Sequence, residues 1–163
     1  MATHDTAPIR QSVIVRSDLR HTFAVFVRDI GLWWPTGTHS IGGAQVAGVR
    51  VEEHAGGRLY ERWHDGTEHA WARVLRWQPP ELFALAWDLQ PETEVELRFR
   101  SLGPALTRVE LEHRGWERLR RTDVEGAIVR SYQAGWPQVL AAFTARLGGA
   151  VETGAEPVPD GAR

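Results

Sequence analysis

The sequence predicts an α+β fold: a strongly curved antiparallel sheet of about seven strands wrapped on one long C-terminal helix, with two short helices after strand one. Three observations carry this. Residues 56–116 divide into five consecutive segments of strand character separated by short turns. From residue 123 to 147 the apolar period becomes helical, with Ile128, Tyr132, Trp136, Val139, Leu140, Phe143 and Leu147 on one stripe. Before the strand block, Leu19, Phe23, Phe26, Val27 and Ile30 form a second helical stripe.

Residues 9–16 (IRQSVIVR) are rich in β-branched side chains and read as the first strand. Ser17-Asp18 offers an N-cap, without a capping box because Arg20 occupies the Glu/Gln position. The first helix breaks near Gly31, and Leu32-Trp33-Trp34-Pro35 reads as a short second helix or turn ended by proline. The glycine-rich loop 36–43 contains neither GxxxxGK[ST] nor GxGxxG, which argues against a phosphate cradle. Strand two falls within 44–54, strand three covers 58–64, and Asp65-Gly66 is the strongest hairpin signal of the chain. Strand four spans about 67–77 and stops at Pro79-Pro80; strand five follows at 82–89. Strands six (93–101) and seven (107–114) alternate cleanly. Pro137 lies inside the last helix and should kink it near residues 133–136, and Gly148-Gly149 should end it. This gives a single domain over 9–148, a flexible N-terminus at 1–8 and a disordered tail at 149–163, where no periodicity survives.

A chain of 163 residues is long enough for one domain with a full core. A net charge of -2 gives no basic footprint for nucleic acid or an anionic membrane. The absence of cysteine excludes disulfides, thiolate nucleophiles and Cys-type zinc sites. His64 and His69 flank the hairpin on opposite faces, so no metal site is expected. No serine sits in a GxSxG elbow, so Ser–His–Asp hydrolysis is not indicated. The N-terminus lacks an apolar signal core and no run approaches a membrane span, which together suggest a cytoplasmic protein without membrane insertion. Eight tryptophans are many for this length, and each buried indole needs a partner for its N–H.

Side-chain alternation from the Asp65-Gly66 turn assigns faces. A two- or four-residue loop pairs Trp63 with Glu68, Glu61 with Ala70 and Leu59 with Ala72. Leu59, Glu61, Trp63, Ala70, Ala72 and Val74 then point inward. Arg58, Tyr60, Arg62, His69, Trp71 and Arg73 point outward. The same alternation places Val95, Leu97, Phe99, Val109, Leu111 and His113 inside, with Trp87 on strand five. Small residues facing a helix leave space, and an inward carboxylate must be hydrogen-bonded, solvated or protonated.

The segments GGRLYERWHDG, RVLRWQPPELFALAW, TRVELEHRGW and YQAGWPQVL, in this order, resemble the START-like (SRPBCC) superfamily with its helix-grip fold. The branch they resemble most is the small bacterial proteins named after the C-terminal domain of the Hsp90 ATPase activator. The resemblance covers about residues 9–147. It implies a hydrophobic ligand cavity between sheet and C-terminal helix, which in relatives holds lipids, sterols, polyketides or other aromatic compounds. Some branches are cyclases, hydratases or ring-hydroxylating oxygenase subunits. The His, His and carboxylate metal pattern of the oxygenases cannot be placed here.

Face assignment and resemblance together predict a cavity lined by Phe26, Trp33 and Trp34 from the short helices and by Leu59, Glu61, Trp63, Ala70, Ala72 and Val74 from strands three and four. Trp87, Leu97, Phe99, Leu111 and His113 complete the sheet side, and Tyr132, Trp136 and Leu140 the helix side. The leading expectation is a binding protein for a small apolar or aromatic molecule, without cofactor. An alternative is an enzyme of cyclase or hydratase type, with Glu61 and His113 as an acid–base pair on a polyketide-like or aromatic substrate. A second alternative is a chaperone-accessory module. A homodimer is compatible with the sequence but not specified by it.

Overall fold

The computed structural model describes residues 6–119 and 123–155. Its elements follow in chain order. Strand β1 (Ile9–Val15) leads into helices α1 (Leu19–Arg28) and α2 (Ile30–Trp33). Strands β2 (Val46–Val51), β3 (Arg58–Trp63), β4 (Glu68–Gln78), β5 (Leu82–Trp87), β6 (Glu94–Gly103) and β7 (Leu106–Arg114) come next. Helix α3 (Asp123–Arg146) and strand β8 (Ala150–Ala155) close the order. The strands form one curled antiparallel sheet in the order β2-β3-β4-β5-β6-β7-β1-β8, a half-barrel holding the helices.

The helix ends follow local chemistry. Asp18 caps α1, its carboxylate accepting from His21 N–H at 2.9 Å. Helix α3 runs through Pro137, whose missing N–H leaves the Gln133 carbonyl without its intrahelical donor. Gly148 and Gly149 end it at φ +86° and +105°, with Gly149 N–H bonded to Thr144 O at 2.8 Å.

That turn reverses the chain toward β1 and corrects one expectation. Residues 150–155, assigned to a structureless tail, form β8, with Val13 opposite Thr153. With β7 on one side, β1 otherwise presents a free edge, and its unpaired backbone groups recruit an extended segment within reach. Residues 1–5 and 156–163, also expected to be loose, lie outside the described residues.

The β3–β4 hairpin corrects a second expectation. Trp63 N–H bonds Thr67 O at 2.9 Å, so the loop is the three residues His64, Asp65 and Gly66, with Gly66 at φ +88°. This moves the pairing by one: Glu61 faces His69 and Tyr60 faces Ala70. A bulge at Trp71 then restores the expected Leu59–Ala72 pair. Ala70, assigned inward, is exposed. Trp71, assigned outward, is 0% exposed on the inner side and fills space that small residues were expected to leave.

The inner alternation of β6 and β7 is as expected: Val95, Leu97, Phe99, Val109, Leu111 and His113 are all buried. All of these but His113 pack with Phe26, Trp33, Phe83 and Phe143 in one core. Phe26 meets Phe143 at 4.8 Å between ring centres, and Phe23 meets Phe99 at 5.0 Å. The outer face carries a lattice of ion pairs, among them Arg114 Nη1–Glu96 at 2.7 Å and Arg10–Glu112 at 3.2 Å. Such partly exposed pairs add little stability each.

Candidate functional site

Helix α3 presents Tyr132, Gly135, Trp136 and Val139 at spacings of three, four and seven, which is one helical face. Opposite stand Trp34 and the loop residues Thr38, His39, Ser40 and Ile41, and Trp87 and Leu89 close the β5 end. Together with Ser131 they enclose a groove of about 430 Å³. A larger groove, about 690 Å³, lies between α1 and Pro79-Pro80, but Arg20, Arg28 and Glu53 line it. Among the described residues, no Asp, Glu, Lys or Arg lines the first groove, which is walled by rings.

The rings are held by one another. Trp87 Nε1–H donates to the Tyr132 hydroxyl at 3.0 Å. Trp87 and Trp136 meet edge to face at 5.3 Å, and Tyr132 stacks on Trp136 at 6.2 Å. The Tyr132 oxygen accepts from Trp87, and among the described residues its own proton has no acceptor, which leaves it to a ligand. Burial raises the Tyr132 pKa, with the Trp87 bond opposing, so the phenol stays neutral.

The groove loop is anchored from behind by Glu61. This carboxylate is 0% exposed, and among the described residues no cation faces it. Oε1 accepts from Ile41 N–H at 2.6 Å and Trp71 Nε1–H at 2.6 Å. Oε2 accepts from Gly42 N–H at 2.9 Å and Trp63 Nε1–H at 2.7 Å. Burial pushes its pKa up, yet the four donors outweigh burial and hold it below the ordinary carboxylate range. Gly42 makes this approach possible, since a Cβ there would run into the Trp63 indole. Trp34 Nε1–H adds a second tie, to His39 O at 2.7 Å.

His113 lies behind the groove wall. Trp136 Nε1–H donates to its Nδ1 at 3.0 Å, and Nε2 bonds Thr93 Oγ1 at 2.8 Å. Burial lowers its pKa to about 3, so the imidazole is neutral.

The expected cavity residues thus divide. Trp34, Trp87, Tyr132 and Trp136 line the groove. Phe26, Trp33, Leu59, Ala72, Val74, Leu97, Phe99, Leu111 and Leu140 pack together in the core. Trp63 is half-buried, stacked on His69 at 3.9 Å, and Ala70 faces solvent. Glu61 and His113 have every ring nitrogen or carboxylate oxygen engaged, in separate bonding clusters. Sequence reasoning missed Thr38, His39, Ser40, Ile41, Leu89, Ser131, Gly135 and Val139 as lining residues. The available signal was the inward Glu61, whose carboxylate needs donors that a nearby glycine-rich loop can supply.

Comparison with known proteins agrees with the fold. The family model described as Activator of Hsp90 ATPase homolog 1-like protein matches residues 25–148. A search of curated proteins returned no match. Among solved structures, the anthrahydroquino-gamma-pyrone synthase Txn09, complexed with SUM, is 32% identical, covering 90% of this chain and 99% of that chain, at a TM-score of 0.58. The self-sacrificing resistance protein CalC from Micromonospora echinospora is 24% identical with the same coverage, at a TM-score of 0.67. The Aha1 dimer from Colwellia psychrerythraea is 19% identical over 86% of this chain and 96% of that one, at a TM-score of 0.58, and shares the fold. The match over residues 25–148, most of the chain, establishes that this protein belongs to the Activator of Hsp90 ATPase homolog 1-like family.

Proposed function

We propose that the protein binds a planar aromatic molecule in the groove between residues 38–41 and α3. The observation that carries the reading is the wall itself: Trp34, Trp87, Tyr132 and Trp136 around about 430 Å³ of space that no charged side chain among the described residues lines. That volume lies within the usual range for small-molecule sites, and ring faces favour flat apolar ligands. The Txn09 synthase, similar at 32% identity over nearly its whole length, is named for a fused-ring product, which supports the same ligand class. Acid–base catalysis through Glu61 and His113 gains no support, because neither has a lone pair or proton left for a substrate.

The test is equilibrium dialysis with xanthone, a flat three-ring ketone, on the wild type and on Ser131→Trp. Ser131 is an exposed helical residue lining the groove, so the new indole occupies the site while leaving the core untouched. Saturable binding to the wild type and its loss in the variant are expected. No binding of xanthone or of any monohydroxyxanthone to the wild type, or equal binding to both proteins, overturns the reading.

A further inference from the structure

His39 is held by two backbone bonds and one through its imidazole. Its backbone N–H bonds Pro35 O at 2.9 Å, and its carbonyl accepts from Trp34 Nε1 at 2.7 Å. Its Nδ1 bonds Thr38 Oγ1 at 2.7 Å. The ring lines the groove, and its Nε2 and Cδ2 lie 3.6 Å from the point where a Cβ on Gly135 would sit. A glycine here leaves the helix surface open beside that nitrogen. Among the described residues Nε2 has no hydrogen-bond partner, while the neighbouring Ser40 hydroxyl is engaged at both ends, by Thr36 O and Gly43 N–H.

We propose that His39 is the specificity-determining residue of the groove: its Nε2 bonds a phenolic hydroxyl, so the ligand class is planar hydroxylated aromatics rather than plain aromatics. The inference rests on the groove reading above and adds to it. The Thr38 hydroxyl can donate to Nδ1 or accept from it, so Nε2 is either a donor or an acceptor. A phenolic hydroxyl satisfies both states, because it donates and accepts. A ketone or ether oxygen satisfies only the donor state. A phenol also carries its hydroxyl in the plane of a ring that the tryptophans can stack on. The Tyr132 proton serves a ligand carbonyl, which xanthone and its hydroxylated forms share.

The experiment compares xanthone with the four monohydroxyxanthones by equilibrium dialysis on wild type, His39→Phe and His39→Gln. The wild type is expected to bind at least one hydroxylated isomer about tenfold more tightly than xanthone, the discrimination one good hydrogen bond gives. In His39→Phe, which keeps a flat ring without nitrogen, the ratio of hydroxyxanthone to xanthone affinity should fall to within about twofold; His39→Gln, which can donate and accept, should restore part of it. Wild-type binding of xanthone with no isomer preferred, or a preference that survives in His39→Phe, overturns the role of His39 and leaves the groove reading standing. Failure of the wild type to bind any of the five compounds overturns both.

Discussion

Trp136 donates its indole N–H to His113 Nδ1 across 3.0 Å, and this bond fixes the state of a fully buried imidazole. Nδ1 must carry a lone pair, so the proton sits on Nε2 and is donated to Thr93 Oγ1 at 2.8 Å. The Thr93 hydroxyl passes its own proton on to Gln90 O at 2.7 Å. The relay from α3 to the β5–β6 turn is complete only with a neutral His113 of one tautomer.

The first prediction concerns pH. The folded pKa of His113 is about 3 and the ordinary value 6.5, so the unfolded chain takes up the proton first. The stability tied to this group is therefore fully present above pH 6.5 and declines as pH falls toward 3. Between about pH 7.5 and about pH 5 this linkage removes about 2 kcal/mol. Urea unfolding at the two values should show that loss in the wild type and a smaller one in His113→Gln. Equal pH dependence in both proteins would sink the assignment. Glu61 acts in a lower window: its lowered pKa contributes stability that is lost only as pH falls below the usual 4.5.

Trp136→Phe keeps the ring packed against Trp87 but removes the donor. His113 Nδ1 is then a buried acceptor without a partner, at a cost of about 1–3 kcal/mol. Protonation of Nδ1 no longer meets an N–H, so the imidazole should titrate at higher pH than in the wild type. Nitrogen-15 NMR of the ring reads this directly. An unshifted titration would mean that burial alone sets the His113 pKa.

Some of this arrangement is legible in the residues and some is not. Strands β6 and β7 were readable because alternation is local: Val95, Leu97 and Phe99 against Glu94, Glu96 and Arg98 need no partner to declare a face. The β3–β4 turn was readable as a turn but not as three residues, since Asp-Gly suits more than one loop length. That difference decided Ala70 and Trp71, because one extra residue exchanges the faces. The bulge at Trp71 goes with a side-chain contact across the hairpin that alternation does not encode, its indole reaching Glu61 Oε1 at 2.6 Å. The aromatic half of the groove was visible as a tryptophan excess. Its polar half, Thr38 and His39, sits in a loop with no periodicity to read.

Glu61→Gln tests the anchor of that loop. Each carboxylate oxygen accepts one backbone and one indole N–H, and an amide turns one of the two oxygens into a donor facing two donors. The expected loss is on the order of 3 kcal/mol, read from the urea midpoint. Amide exchange at Ile41 and Gly42 should accelerate beyond what global destabilisation explains. A catalytic Glu61 would instead tolerate the change with stability intact.

Gly42→Ala separates space from conformation. Gly42 sits at φ -92° and ψ -11°, a negative-φ conformation open to alanine, so left-handed strain is not at issue. The added methyl would collide with Trp63 Nε1 and Cε2 and approach Glu61 Oε2 to 3.1 Å. Trp63 cannot easily retreat, because it is bonded to Glu61 at 2.7 Å and stacked on His69 at 3.9 Å. The substitution must therefore break the Trp63–Glu61 bond or lift the loop, at about 1–3 kcal/mol. Gly37→Ala, in the same loop with nothing within 4 Å of its Cβ position, should stay within about 0.5 kcal/mol of wild type. Equal unfolding midpoints for the two variants would show that the loop is not clamped on Glu61 through Gly42.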